Sequence, residues 1–509
     1  MPHFKFEYSR ALGKCFLHLK ADYILEKTIR QTKYYFISNT VLSNEFNILW
    51  EKLNVRSESI HRDIYLLFEQ VCSLSFILID ESDKVHLFSD PLGFHPLFFG
   101  FAFDKFICSD DQLRVIKELN LSTHLSEKSV ASYLHNGHLI ADQSWFKDVN
   151  RMKAASHYIL NKQSFELTHD YYWTWSEINK IYENANIEEY IDSFGSCFEQ
   201  LNNNLNYILG LSGGLESRWI ASYAKNLENF STYTFAESGT QDLLLAQKVA
   251  NRLSLRHTHI NIGSQHISDR LNSFIQMQAM VHLGHIHEGN LLDDFVSKYD
   301  VLLHGFYGGY EFHNNLNSKV NFNIASSLFD IGDEISYFES YFDFNCIDPF
   351  ISNYKVRNQA AFTLHRLNDL AKIVLPFYNM RWISVNYSID DNLQKNKKFY
   401  MEALNKSMSR ELCNVPWQKT GIPIKFIQLN SFILKFKIHS IREKILNYFG
   451  KTSHFINYAK YGVELDSMLS DYSAKQFCSE NNMRLESREQ KWRVLSILVW
   501  KDFLSKNEN

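Results

Sequence analysis

The alternation of apolar and polar positions changes character about two fifths of the way along the chain. Before residue 175 the apolar runs are short and strand-like. Ser73-Leu74-Ser75-Phe76-Ile77-Leu78-Ile79 reads as a buried strand closed by the turn formers Asp80 to Asp83, and Val85, Leu87 and Pro96 to Phe103 continue in short pieces punctuated by Asp and Gly. After residue 205 the pattern alternates. Asn206 to Leu211 is a short apolar strand, Ser212-Gly213-Gly214 is a turn, and Trp219, Ile220, Tyr223, Ala224 and Leu227 recur at helical spacing. Ser231 to Phe235 is the next strand. Leu243, Ala246, Val249, Ala250 and Leu253 mark a second amphipathic helix, and His257 to Ile262 and Val301 to Phe306 are further strands. Strands alternating with helices predict parallel βαβ units with helices on both faces of one sheet. From about residue 325 the pattern is mainly helical, and Trp173 to Ala185 bridges the two regimes.

Composition narrows the function classes. A chain of 509 residues has room for several domains. The formal charge of −4 lacks the basic excess of a polyanion binder, so no nucleic-acid partner is expected. No apolar run is long enough for a membrane span, and Met1-Pro2-His3-Phe4-Lys5 does not open a signal peptide. The 7 Cys are scattered and form no CxxC pair, which disfavours a disulfide framework and a zinc site. They read as reduced thiols of a cytoplasmic protein.

The candidate chemistry sits in Ser212-Gly213-Gly214-Leu215-Glu216-Ser217, between a strand and a helix. Two glycines let the backbone turn sharply and gather N–H groups toward one point, and the helix adds its N-terminal dipole. This is an anion site by composition, although an ordinary tight βα turn has the same spacing. Neither a Walker A loop nor GxGxxG is present. His282, His285, His287 and Glu288 form a second cluster. Their spacing does not put all three imidazoles on one helical face and HExxH is absent, so a structural or substrate-lining role is expected. The stretch from Lys425 to Lys451 mixes cations with apolar residues and reads as a solvated amphipathic helix face, with a partner or anionic-lipid surface as the alternative.

Ser212 to Ser217 resembles the pyrophosphate-binding loop SGGxDS of the asparagine synthetase family, with Glu216 in place of Asp. Further landmarks follow in that family's order. Asp90 to Phe99 resembles the DxxGxxPLYY signature of its N-terminal glutaminase-type domain, and Tyr172-Trp173 the YW that closes it. Phe235, Asp242, the helix from Ala246 to Leu253 and His257 resemble its second βαβ unit. His304 to Glu311 stands where the family has SGxGxDE, Pro376 to Asn379 resembles PFLD, and Val415 to Gly421 resembles W-x-K-x-G. The resemblance implies an Ntn-hydrolase-like αββα sandwich over 1–175. It also implies a doubly wound α/β domain of the PP-loop ATP pyrophosphatase type over 185–509, with a helical C-terminal extension. It implies an amide-forming ligase that uses ATP and Mg²⁺ to convert a carboxylate to an acyl-adenylate, with release of pyrophosphate and then AMP. By the same resemblance Leu211, Ser212, Gly213, Gly214, Glu216, Ser217, Phe235, His304 and Gly305 bind nucleotide, Glu216 and Glu311 hold metal, Lys419 neutralises developing charge, and Tyr307 is an acid/base candidate.

Two departures shape the expectation. Active glutaminase domains expose an N-terminal Cys whose own amine acts as base. Here position 2 is Pro2 and the nearest thiol is Cys15, so nitrogen is expected from ammonia or a substrate amine. Relatives of this kind include β-lactam synthetases, lasso-peptide cyclases and polysaccharide-cluster proteins. The SGxGxDE loop also lacks its Asp, since Gly309 and Tyr310 stand there before Glu311. That deficit motivates the alternative of a non-catalytic homologue that binds nucleotide or a partner. The small-molecule or peptide carboxylate and the amine are not named by the sequence, and a homodimer is left open.

Overall fold

The computed structural model describes residues 4–19, 24–38, 43–180, 185–199, 201–262, 267–286, 290–308, 352, 356–359, 361–390, 393, 397–448, 452, 454–456, 461–481, 483–485 and 487–507. Eleven antiparallel strands come first. They are β1 (Phe4–Ser9), β2 (Lys14–Leu19), β3 (Ile24–Ile29), β4 (Thr32–Ser38), β5 (Ser75–Asp80), β6 (Lys84–Ser89), β7 (Phe98–Ala102), β8 (Lys105–Ser109), β9 (Asn150–Arg151), β10 (Ser156–Asn161) and β11 (Leu167–Tyr171). They form two sheets, in the orders β2-β1-β8-β7-β9 and β11-β10-β6-β5-β4-β3.

Period-two alternation explains how these sheets stack. Phe4, Phe6 and Tyr8 of β1 meet Phe76 and Leu78 of β5 and Val85 and Leu87 of β6 in a core between the sheets. The alternate residues face outward and are covered by helices. Tyr34, Phe36, Ile77 and Ile79 pack under α1 (Asn44–Lys52) and α2 (Ile60–Glu69), through Phe46, Trp50, Ile64 and Phe68. On the other side Phe98 and Ile107 pack under Val115, Ile116 and Leu119 of α3 (Gln112–Leu119), which is followed by α4 (Glu127–Asn136). The result is the four-layer αββα, Ntn-hydrolase-like sandwich. The hydrophobic pattern alone had marked this half only as β-rich.

The second half is built on a parallel sheet. Its strands are β12 (Tyr207–Gly210), β13 (Phe230–Ala236), β14 (Arg256–Asn261), β15 (Val301–Leu303) and β16 (Lys372–Val374), in the order β14-β13-β12-β15-β16. Both faces are covered, so its central strands are continuous apolar runs: Tyr207, Ile208, Leu209, Val301, Leu302 and Leu303 are all fully buried. On one face Phe194 of α5 (Ile187–Glu199) stacks on Trp219 of α6 (Glu216–Ala224), with ring centroids 3.7 Å apart. The expected strand Val301 to Phe306 ends at Leu303. There Phe306 N–H donates to His304 Nδ1 and Tyr307 takes a left-handed φ of 73°, which turns the chain out of the sheet. The short β16 was not anticipated within a region read as helical.

The two halves share a polar seam. Asp90, in the DxxGxxPLYY-like segment, accepts from Phe94 N–H, His95 N–H and the hydroxyl of Tyr378. Arg357 donates to Gly93 O at 3.0 Å and pairs with Asp142 at 2.6 Å. The Asp90 turn is therefore fastened to the Pro376–Tyr378 turn of the second half. No helix among the described residues is long and apolar enough to cross a membrane.

Candidate functional site

In the parallel sheet the chain runs from β12 outward to β13 and β14, then returns to β15 on the other side of β12. Strand order therefore reverses between β12 and β15, and the crevice beyond their carboxyl ends is where ligands bind in open α/β sheets. Two segments reach that crevice. One is the loop after β12, and the other is His304-Gly305 after β15. They approach closely: a Cβ on Gly305 would lie 3.5 Å from both Glu216 Cβ and Ser217 N.

The loop is held by its own side chains. Ser217 Oγ accepts from Ser212 N–H at 3.1 Å, Ser212 Oγ accepts from Gly214 N–H at 3.1 Å, and Glu216 Oε2 accepts from Leu215 N–H at 3.2 Å. Gly213 N–H donates to Asp242 Oδ1 at 2.8 Å. Asp242 opens α7 (Gln241–Arg252) and is nearly fully buried; burial pushes its carboxyl up to about 6, opposed by the Gly213 hydrogen bond. Gly213 is confined by packing. A Cβ there would meet Gln418 Cβ at 2.9 Å and Leu245 Cβ at 3.1 Å, so glycine is the residue that admits this close approach.

The Trp417–Gly421 segment docks on the same loop. Gln418 N–H donates to Gly213 O at 3.1 Å. Arg218, buried in α6, donates to Val415 O at 2.7 Å, Pro416 O at 2.8 Å and Gly213 O at 3.3 Å. Burial lowers its guanidinium to about 10, so it stays charged at neutral pH. Arg218 thus fixes the register between the loop and the strap that carries Lys419.

Two cavities flank Glu216. One, of about 300 Å³, is lined by Leu211, Ser212, Glu216, Ser217, Thr234, Phe235, Asp242, His304 and Gly305. Burial lowers His304 to about 4, so its imidazole is neutral at pH 7. The other, of about 500 Å³, is lined by Gly214, Glu216, Lys397, Lys419, His439, Glu443 and Lys444, among others. Lys397 Nζ lies 3.7 Å from Glu216 Oε1.

The sequence candidates fall out as follows. Leu211, Ser212, Glu216, Ser217, Phe235, His304 and Gly305 meet at one cavity, Gly214 and Lys419 at the other, and Gly213 lies in the loop between them. Tyr307 is not brought there. It lines neither cavity, is only 1% exposed, packs against Phe94, and its hydroxyl bonds Ser352 Oγ at 3.0 Å. Glu311 lies outside the described residues, as do Gly309, Tyr310, His287 and Glu288. His282 is buried 3.5 Å from Glu489 at the start of the C-terminal helix, and it lines neither cavity. Sequence reasoning gave no role to Arg218 or Lys397 and used Asp242 only as a landmark. The spacing of Asp242 at the first turn of the helix after β13 was the available signal; Arg218 and Lys397 had none.

In the first half, Cys15 is part-buried on β2 and 3.4 Å from Asp80 Oδ1. Burial and then the Asp80 charge push its thiol up to about 12, the reverse of what a nucleophilic thiolate requires.

The donor set fits a nucleotide phosphate and its cation. The loop places backbone N–H groups at a helix N-terminus, carboxylate oxygens of Asp242 and Glu216 already occupy two of them, and Glu216 offers the oxygen ligand that Mg²⁺ prefers.

Comparison with known proteins places two domains on the chain. A family described as Asparagine synthase matches residues 196–324, and one described as Glutamine amidotransferase domain matches residues 71–173. No curated protein matches the sequence. Among solved structures, the allosteric regulatory enzyme of purine biosynthesis is similar at 8% identity and a TM-score of 0.21, over 47% of this chain and 62% of that one. Glutamine phosphoribosylpyrophosphate (PRPP) amidotransferase from B. subtilis, complexed with ADP and GMP, is similar at 9% identity and a TM-score of 0.19. That match covers 38% of this chain and 46% of that one. The chain thus spans less than two thirds of either structure.

Proposed function

Because the chain belongs to an asparagine synthetase-like family of ATP-dependent amide-bond ligases, we propose that it activates a substrate carboxylate as an acyl-adenylate and joins it to ammonia or an amine. The observation that carries this reading is the convergence of the Ser212–Ser217 loop, Gly305 and the Lys419 strap at the reversal of strand order. In it, the Ser212–Ser217 amides and hydroxyls receive pyrophosphate. Phe235, Leu211 and the backbone at His304-Gly305 flank the nucleoside. Lys419, on the far side of Glu216, neutralises charge as the pyrophosphate leaves. Glu216 holds Mg²⁺, which when bound offsets phosphate charge. Arg218 lines neither cavity; with Asp242 it keeps the loop and the strap in register, which matters because misplacement of about 1 Å is costly in such a site. The raised thiol of Cys15 supports a nitrogen source other than glutamine.

The domain division is 1–175 and 185–509, in keeping with matched regions that end at 173 and begin at 196. ATP–pyrophosphate exchange across a panel of carboxylic acids tests the reading. Mg²⁺-dependent exchange that falls at least ~100-fold in Lys419→Ala is expected. A protein that fails to bind ATP would sink it.

A further inference from the structure

Two helices beside the Lys419 strap each expose an apolar face. In α8 (Ile427–Lys435) the buried residue is Asn430. Its carboxamide bonds Thr420 Oγ1 and the carbonyls of Pro423 and Phe426, anchoring the helix by a polar contact. Ile427 and Leu434 pack against the core on that side, but a second set of apolar residues points the other way. Phe426, Leu429, Phe432 and Phe436 are 46–56% exposed and recur at three- and four-residue spacing, the period that ordinarily faces a core. The next helix, α9 (Ile438–Tyr448), repeats the arrangement: Ile438, Ile441, Ile445 and Tyr448 fall on one face and are 37–86% exposed. Eight of the fifteen large hydrophobics exposed among the described residues therefore lie within 23 positions of one another. A patch of this kind marks a docking surface.

Charge selects the occupant. Residues 425–448 carry Lys425, Lys435, Lys437, Arg442 and Lys444 against one acid, Glu443, a net of +4 on a chain whose total is −4. Arg442 and Lys444 face the strap and the larger cavity, while Lys425 and Lys435 sit among the apolar side chains: Lys425 Nζ is 4.9 Å from the Phe426 ring centre and Lys435 Nζ is 5.6 Å from that of Phe436. Aromatic and aliphatic residues on one face with lysines at its edges are the composition of a helix lying in a lipid headgroup layer. A second copy of this face would set like charges against each other, which disfavours a symmetric dimer.

We propose that α8 and α9 form a docking surface for an anionic membrane. The opposite side of α9 supplies His439, Glu443 and Lys444 to the larger cavity, and Arg442 donates to Gln418 O at 3.1 Å. Docking therefore holds the mouth of that cavity at the lipid surface. The proposal does not depend on ligase chemistry.

Flotation of the full chain with lipid vesicles tests it, without nucleotide. Vesicles of phosphatidylcholine mixed with phosphatidylglycerol should carry the protein, phosphatidylcholine alone should carry much less, and salt should weaken the binding. Lys435→Glu with Lys437→Glu should weaken it about thirtyfold or more, at roughly fivefold for each lysine lost. Phe432→Ser with Ile441→Ser should lower it on the order of a hundredfold. Both variants alter only exposed side chains, so circular dichroism and thermal unfolding should match the parent. Failure to bind anionic vesicles, or equal binding to neutral ones, overturns the proposal. So does a concentration-dependent dimer that both variants abolish, which would assign the face to a second copy of the chain.

Discussion

Asp242→Asn isolates the buried carboxylate that anchors the Ser212–Ser217 loop. Its folded value of about 6 stands above the ordinary 3.8. An acid raised by burial is penalised when it ionises in the folded state. Its contribution is therefore most favourable at low pH and is lost as pH rises through about 4 to 6. The difference of ~2.2 pH units corresponds to ~3 kcal/mol. Asparagine keeps an oxygen for Gly213 N–H but cannot ionise. Above pH 7 the variant should unfold several degrees higher than the parent, and below pH 4 the two should converge. Function should move the other way. A neutral acceptor holds the Gly213 N–H about half as strongly as a carboxylate, so exchange and ATP affinity should fall in the variant at pH 8. The acid limb of the parent's pH profile, centred near 6, should disappear. Scanning calorimetry across pH 4–8, paired with exchange assays, reads both effects. A stability difference that stays flat across that window would refute the assigned titration and with it the anchoring role.

Arg218→Met strands the carbonyls of Val415 and Pro416, at ~1–3 kcal/mol for each lost partner; the fold should lose at least about 2 kcal/mol in denaturant titration, and exchange should fall even where the protein remains folded. Gly213→Ala forces a methyl against Gln418 and Leu245, so about 1–3 kcal/mol of overpacking is expected, together with displacement of Lys419 and reduced kcat. Tyr307→Phe removes the buried hydroxyl bond to Ser352; stability should drop by ~1 kcal/mol with kcat unchanged, and a loss of kcat above tenfold would restore Tyr307 as an acid/base group.

Much of the ligase half was legible because its signals are local. A buried parallel strand is a continuous apolar run, as at Tyr207 to Leu211, and a Gly pair at its end has few structural meanings. The helices of the sandwich were less visible, since α1 and α2 are short and their apolar faces blend with adjoining strands. Arg218 was invisible because its partners, Val415 and Pro416, lie far along the chain and are backbone atoms that any sequence would supply. Tyr307 misled because sequence gives proximity along the chain but not direction; the left-handed turn at that residue carries its ring into the packing around Phe94.

The resident carboxylate of the loop acts as a filter on what can enter. Glu216 Oε2 already accepts the Leu215 N–H. A bare anion such as sulfate must evict that carboxylate and then lie beside its charge. A phosphate that arrives with a divalent cation gives the evicted carboxylate a ligand to hold. If the loop takes a nucleotide as proposed, it should discriminate against simple oxyanions and favour a metal–nucleotide complex, with selectivity set by what the newcomer offers the side chain it displaces.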